Sequence, residues 1–204
     1  FTLNPNLIMK LPKWLLPVGI LVILALWAVM KYNALVPMDQ QVKSSWSQVE
    51  NQYQRRSDLI PNLVNVVKGY ASHEKETLEG VITARSKATS TTIDANNLDE
   101  AALQRFQQSQ DALSSALSRL MVVVEKYPDL KANEQFQNLA VQLEGTENRI
   151  ATARRDFNET AKTYNTARQT FPTVLIAGLL GFKERPYFTA QAGSEIAPTV
   201  DFSK

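Results

Sequence analysis

Apolar and polar positions along this chain follow two rhythms in succession. The first is unbroken: Trp14 to Met30 reads WLLPVGILVILALWAVM, 17 residues without a charge, between Lys10 and Lys13 on one side and Lys31 on the other. As a helix this run rises about 25 Å, at the short end for a bilayer core. Lysines at both ends reach the head groups by extending along their stems, and Trp14, Trp27 and Tyr32 suit the interfaces. The pattern predicts a transmembrane anchor over residues 14–32, with Lys10, Lys13, Trp14, Lys31 and Tyr32 at its boundaries. A cleaved signal peptide would need small residues at alternate positions just after the run. The exit Trp27-Ala28-Val29-Met30-Lys31-Tyr32 does not supply them.

The second rhythm repeats every seven residues. It runs Val42, Trp46, Val49, Tyr53, Arg56, Ile60, Leu63, Val67, Tyr70, Glu74, Thr77, Val81 in the first stretch. It returns as Leu103, Phe106, Gln110, Leu113, Leu117, Leu120, Val124, and again from Phe136 through Leu143, Ile150, Phe157 and Tyr164 to Phe171. A sustained 3.5-residue period is the mark of helices packed at shallow angles. The polar run 88–97, Tyr127-Pro128 and Phe171-Pro172 interrupt it, since the residue before proline avoids the α region.

The predicted fold is therefore all-α: an N-terminal transmembrane helix followed by a long antiparallel bundle. Three long helices are expected at about 38–88, 98–126 and 133–171, with a short apolar helix at 173–182. The segment 1–13 precedes the anchor, the bundle fills 38–182, and 183–204 forms an extended tail lying along a groove. An up-down-up path places Val174–Phe182 at the end far from the anchor. Pro61 lies inside the first helix, removes the amide that would bond to Ser57, and predicts a kink there.

Two seam positions carry charge, Arg56 and Glu74. A charge buried without a partner is costly, so each faces water, pairs within the chain, or meets a neighbouring subunit. Polar seam residues often set register and partner choice. The segment VLIAGLLGF, with Val174, Leu175, Leu179 and Phe182, is apolar nearly all round but too short to span a bilayer. It is either a lid on the bundle's end or an exposed contact with a neighbour or lipid. Lys183 and Arg185 behind it suit a solvent edge or phosphate head groups.

Composition narrows the chemistry. The chain has 204 residues, no cysteine, one histidine and a net charge of +2. Thiol chemistry is excluded, and no basic block asks for nucleic acid. His73-Glu74 lacks the second histidine four positions on that a zinc-protease helix needs. No phosphate loop or nucleophile elbow occurs. No catalytic, metal or cofactor residue is predicted, nor a small-molecule substrate.

Several motifs are specific: Tyr32-Asn33-Ala34-Leu35-Val36, Trp46-Ser47-Gln48-Val49-Glu50-Asn51-Gln52-Tyr53, Asp58-Leu59-Ile60-Pro61-Asn62-Leu63-Val64 and Val67-Lys68-Gly69-Tyr70. Glu147-Asn148-Arg149-Ile150-Ala151, Arg154-Arg155-Asp156-Phe157-Asn158 and Pro198-Thr199-Val200-Asp201-Phe202 join them. From about residue 20 onward the chain resembles the LemA family. The resemblance implies a single N-terminal anchor and an antiparallel bundle, and it supplies no catalytic residues. A magnetosome-membrane relative in that family points to membrane organisation, and the family's association with membrane proteases points to an adaptor role.

The expected function is a non-enzymatic scaffold that self-assembles and organises or remodels a bacterial membrane. Its expected partners are the lipid bilayer and further copies of itself. The alternative is an envelope adaptor that binds a membrane protease or signalling protein. If translation starts at Met9, the positive-inside rule puts the N-terminus in the cytoplasm and the bundle outside the inner membrane.

Overall fold

Residues with strong helix-forming side chains and no glycine between Gly19 and Gly69 leave α1 free to run on from the apolar segment. In the computed structural model, which describes residues 14–189, α1 spans Leu15–Tyr70 without interruption. Its 56 residues extend about 84 Å. The apolar segment expected to be the anchor and the first bundle helix are one element, carried through Pro37 and Pro61. Lys10, Lys13 and the tail motif at 198–202 lie outside the described residues.

α1 ends where the amide of Ala71 closes onto the carbonyl of Val67 at 2.8 Å. A four-residue turn follows, and α2 (Lys75–Ser90) runs back along α1. The hydrogen bond between Ser57 and Thr89 fixes this antiparallel hairpin. The helix expected over 38–88 is thus two helices. The heptad phase survives the turn because both limbs bury an apolar face against the same core, so phase alone could not reveal the break.

A 3₁₀ turn at Ala95–Asn97 leads to α3 (Glu100–Val124), which climbs away from the anchor. The carboxylate of Asp99 caps it by accepting from the amide of Ala102. Pro128 opens the single turn α4 (Pro128–Lys131), and α5 (Glu134–Gln169) descends, capped by Asn133 through the amide of Phe136. The last turn is α6 (Val174–Ala177). The path is up, down, up, down. α1 packs chiefly on α5, and α2 on α3.

The extra reversal moves the end of the chain. Trp46 meets Phe157, and ten residues farther along α1 Arg56 meets Glu147, ten residues earlier on α5. The same antiparallel pairing brings Phe171 level with Tyr32. The apolar segment after Pro172 therefore sits at the anchor end of the bundle. The sequence placed it at the far end because it counted three long helices instead of four.

The core has two parts. The anchor-side cluster is aromatic: Trp46, Tyr53, Phe106, Phe157, Tyr164 and Phe188. The distal cluster is aliphatic, built on Ile60, Leu63, Val67, Leu113, Leu117, Leu120 and Leu143. A polar layer separates them.

Candidate functional site

Arg56 forms that layer. It is 1% exposed, one helical turn from Tyr53 below and from Ile60 above. Its terminal nitrogens donate to Ser114 Oγ (2.8 Å), Glu147 Oε1 (2.9 Å), Gln110 Oε1 (2.6 Å) and the Gln110 carbonyl (3.2 Å). Its charge lies 5.0 Å from the Tyr53 ring centre. Among the described residues only its Nε has no partner. One side chain thus ties α1 to α3 and α5, and a vertical slip by one turn would strand a buried guanidinium. Glu147 is 42% exposed on its side chain, so its charge keeps some hydration.

One turn above, Pro61 leaves the Ser57 carbonyl without its helical donor. Arg85 Nε of α2 donates to it at 2.8 Å. The substitution of a side-chain donor for a missing amide lets α1 pass Pro61 unbroken.

At the distal turn, the Tyr127 hydroxyl donates to Glu74 Oε1 at 3.0 Å and lies 2.7 Å from His73 Nε2. Asn133 donates to the Tyr70 hydroxyl. Glu74 therefore belongs to the hairpin connection rather than to a helix seam.

The third constellation lies towards the anchor. Residues 182–189 form an extended strap laid on α5. Asn165 donates to the carbonyl of Arg185 (2.7 Å) and accepts from its amide (2.9 Å). Asn158 makes the same pair of bonds with Phe188, both at 2.9 Å. A carboxamide offers one donor and one acceptor side by side, as a peptide unit does. Seven residues of helix rise about 10.5 Å, and three residues of extended chain cover about 10 Å. The two asparagines are therefore spaced to read every third residue of the strap. Arg168 donates to the Phe182 carbonyl, Tyr164 to that of Lys183, and Arg154 and Gln107 to that of Thr189.

Arg185 locks the strap to α1. It is 6% exposed, and its Nη2 and Nε reach Asp39 Oδ1 at 2.6 and 3.2 Å. Lys43 takes the other oxygen at 2.9 Å. Burial pushes the Asp39 carboxyl up, but hydrogen bonds from Arg185 and Lys43, and their charges, hold it below the usual aspartate value. The solvent-edge or head-group role expected for Arg185 is corrected: the up-down-up-down path returns it to Asp39, where it is buried and paired. Nothing in the spacing of positions 39 and 185 signals this, whereas Asn158 and Asn165 share a heptad stripe.

The remaining predicted positions gather near the anchor. Trp14 is 61% exposed at the start of α1, and Lys31 is half-buried. Tyr32 lies against Phe182, ring centres 5.5 Å apart. Phe182 is buried while Val174, Leu175 and Leu179 are exposed. Lining this corner are Tyr32, Val36, Leu180 and Phe182. The cleft at the polar layer, bounded by Glu50, Tyr53, Ser57, Thr89 and Gln110, holds about 100 Å³, room for a few waters. Burial raises the Glu50 carboxyl. A wider, open groove of about 620 Å³ runs between α3 and α5 past Leu117, Met121, Leu143 and Glu147.

These features define a class: a four-helix bundle continuous with an exposed, apolar N-terminal helix long enough to cross a membrane. The LemA family profile matches residues 45–202, and the chain belongs to that family. It is 31% identical over 176 residues to magnetosome protein MamQ of Magnetospirillum gryphiswaldense, covering 78% of this chain and 65% of that protein. It is 28% identical over 180 residues to magnetosome protein MamQ 2 of Paramagnetospirillum magneticum, at the same coverage. Protein LemA of Metamycoplasma hominis is 25% identical over 158 residues, covering 78% of this chain and 68% of that relative. This chain spans about two thirds of the length of the MamQ relatives. Family and apolar helix together mark a membrane-associated protein.

Proposed function

We propose that this chain is a non-enzymatic, single-pass scaffold of the bacterial inner membrane, its bundle on the extracytoplasmic side. Copies pack side by side and organise or remodel the bilayer. The observation that carries this reading is the continuity of α1 from the apolar segment into the bundle. Leu35 and Val42, buried on either side of Pro37, brace that passage. A joint of this kind transmits the tilt of each bundle to the bilayer, so contacts between bundles translate into membrane shape. The magnetosome relatives, named for a membrane compartment, are consistent with this role.

The test is the full chain purified in detergent, weighed by light scattering, then reconstituted into vesicles and imaged. The scaffold reading expects a mass of several copies and clustered or deformed membrane. A monomer on smooth vesicles would overturn it. That outcome would favour the second reading, an adaptor for another envelope protein. The hydrogen-bonded cluster of Tyr70, His73, Glu74, Tyr127 and Asn133 at the membrane-distal tip supports that alternative.

A further inference from the structure

Between Phe171 and Leu179 the chain divides its side chains sharply. Thr173 and Ala177 are 3% and 1% exposed and hold the segment to the bundle. Phe171, Leu175 and Leu179, four residues apart, are 76%, 64% and 88% exposed, and Val174 is 45% exposed. Gly181, at φ +82°, ends the segment with a left-handed turn, in which Phe182 donates to the Ala177 carbonyl and Gly181 to that of Gly178. This turn drives Phe182 inward against Tyr32 and leaves Leu179 outward.

Position decides what covers these side chains. The antiparallel pairing of α1 and α5 puts Phe171 at the height of Tyr32, one residue past Lys31, where the charge-free run ends. Residues 14–26 of α1 are all exposed, whereas Trp27, Ala28 and Lys31 are half-covered. The bundle therefore reaches down over the last turn of the anchor. The apolar run is about 25 Å long against a hydrocarbon core of about 30 Å. Seating the end of the bundle in the interfacial zone, where amphipathic segments settle about 5–10 Å deep, would offset that shortfall.

We propose that Phe171, Val174, Leu175 and Leu179 form a second membrane contact, seated in the lipid interface beside the anchor. The inference rests on the reading of residues 14–32 as a transmembrane anchor. Two contacts fix the rotation of the bundle about α1 as well as its height. They also add apolar volume to one leaflet, on one side of each anchor.

The natural chain has no cysteine, so single reporters can be placed in the full protein. Leu179→Cys, Leu21→Cys and Val141→Cys are each labelled with an environment-sensitive fluorophore and reconstituted into phosphatidylcholine–phosphatidylglycerol vesicles. Val141, 68% exposed and far up α5, is the aqueous reference. The expected result is quenching of the Leu179 label by lipids carrying a spin label high on the acyl chain, with protection from aqueous iodide. The Val141 label shows the reverse. A Leu179 label quenched by iodide as strongly as the Val141 label, and untouched by the lipid quencher, overturns the proposal. Protection from iodide that grows with protein-to-lipid ratio and brings no lipid quenching also overturns it, in favour of contact with a second copy. If the Leu21 label escapes lipid quenching, the anchor reading itself fails. A Leu175→Glu/Leu179→Glu chain that melts in detergent like the parent, but loses lipid quenching at a Phe171→Cys label, completes the case. Retained quenching there would contradict it.

Discussion

A proline in mid-helix leaves the carbonyl four residues back without its donor, and Ser57 is that carbonyl in α1. Arg85 supplies the missing hydrogen bond from α2. The pair makes a specific prediction about coupling. Arg85→Ala in the natural chain strands the Ser57 carbonyl and costs about 1–2 kcal/mol. In a Pro61→Ala background the restored amide takes over that carbonyl, and the same substitution costs close to nothing. Thermal or urea unfolding of the full chain in detergent measures the cycle, which closes with a coupling of about 1 kcal/mol or more. Equal costs in the two backgrounds would mean that Arg85 stabilises the hairpin by some other route. The proline and the carbonyl it frees are legible from sequence. Arg85 is not, because the hairpin that brings it to Ser57 is a tertiary event. Arg56 is similar: its charge on a seam stands out at once, but its partners Gln110, Ser114 and Glu147 come from two other helices.

The elements repeat that lesson at larger spacing. Helices at 100–124 and 134–169 could be read closely from heptads, capping residues and prolines, because those signals are local. The turn at 71–74 could not, since the seven-residue spacing runs on from Val67 to Val81 and both limbs pack into a common core. Gly69 and Ser72 were the available hints, and neither breaks the rhythm. The strap 182–189 has no periodicity to read, and its conformation is imposed by α5. Asn165→Ala is expected to release the strap at Arg185, and Asn158→Ala to release it at Phe188. Amide hydrogen exchange at the strap reads this as a local loss of protection, with α5 itself remaining protected. Asn→Asp at either position is expected to act similarly, because it removes the donor of the reciprocal pair. Uniform loss of protection across the bundle would show instead that the asparagines support the core as a whole.

For the whole molecule, the closing contact is the ion pair between Asp39 near the anchor and Arg185 near the end of the described chain. Lys43 faces the same carboxylate, and the Tyr164 hydroxyl lies among these charges, its pKa pushed up by burial and by Asp39. The folded state holds the Asp39 carboxyl below its unfolded value. Its stabilisation is therefore present above the unfolded value and is lost as pH falls through the folded one. Asp39→Asn is expected to lower the melting temperature by a constant amount above about pH 5, the gap narrowing from about pH 4 and closing only as pH falls below the folded value. Melting curves of both chains across that range check the sign. A gap that widens on acidification would contradict the pairing.

Sequence by itself determined the kinds of element present. A charge-free run flanked by lysines specifies an apolar helix, heptads specify packed helices, and the LemA motifs specify the family. Each of these depends on the order of neighbouring residues. The number of reversals, and with it the end of the bundle that carries Phe171 to Phe182, was decided only in three dimensions. Amphipathic periodicity records which face of a helix is buried and says nothing about the direction in which the next helix runs. One short turn at residues 71–74 therefore moved an apolar segment from the far tip to the side of the anchor, and gave Asp39 a partner 146 residues away.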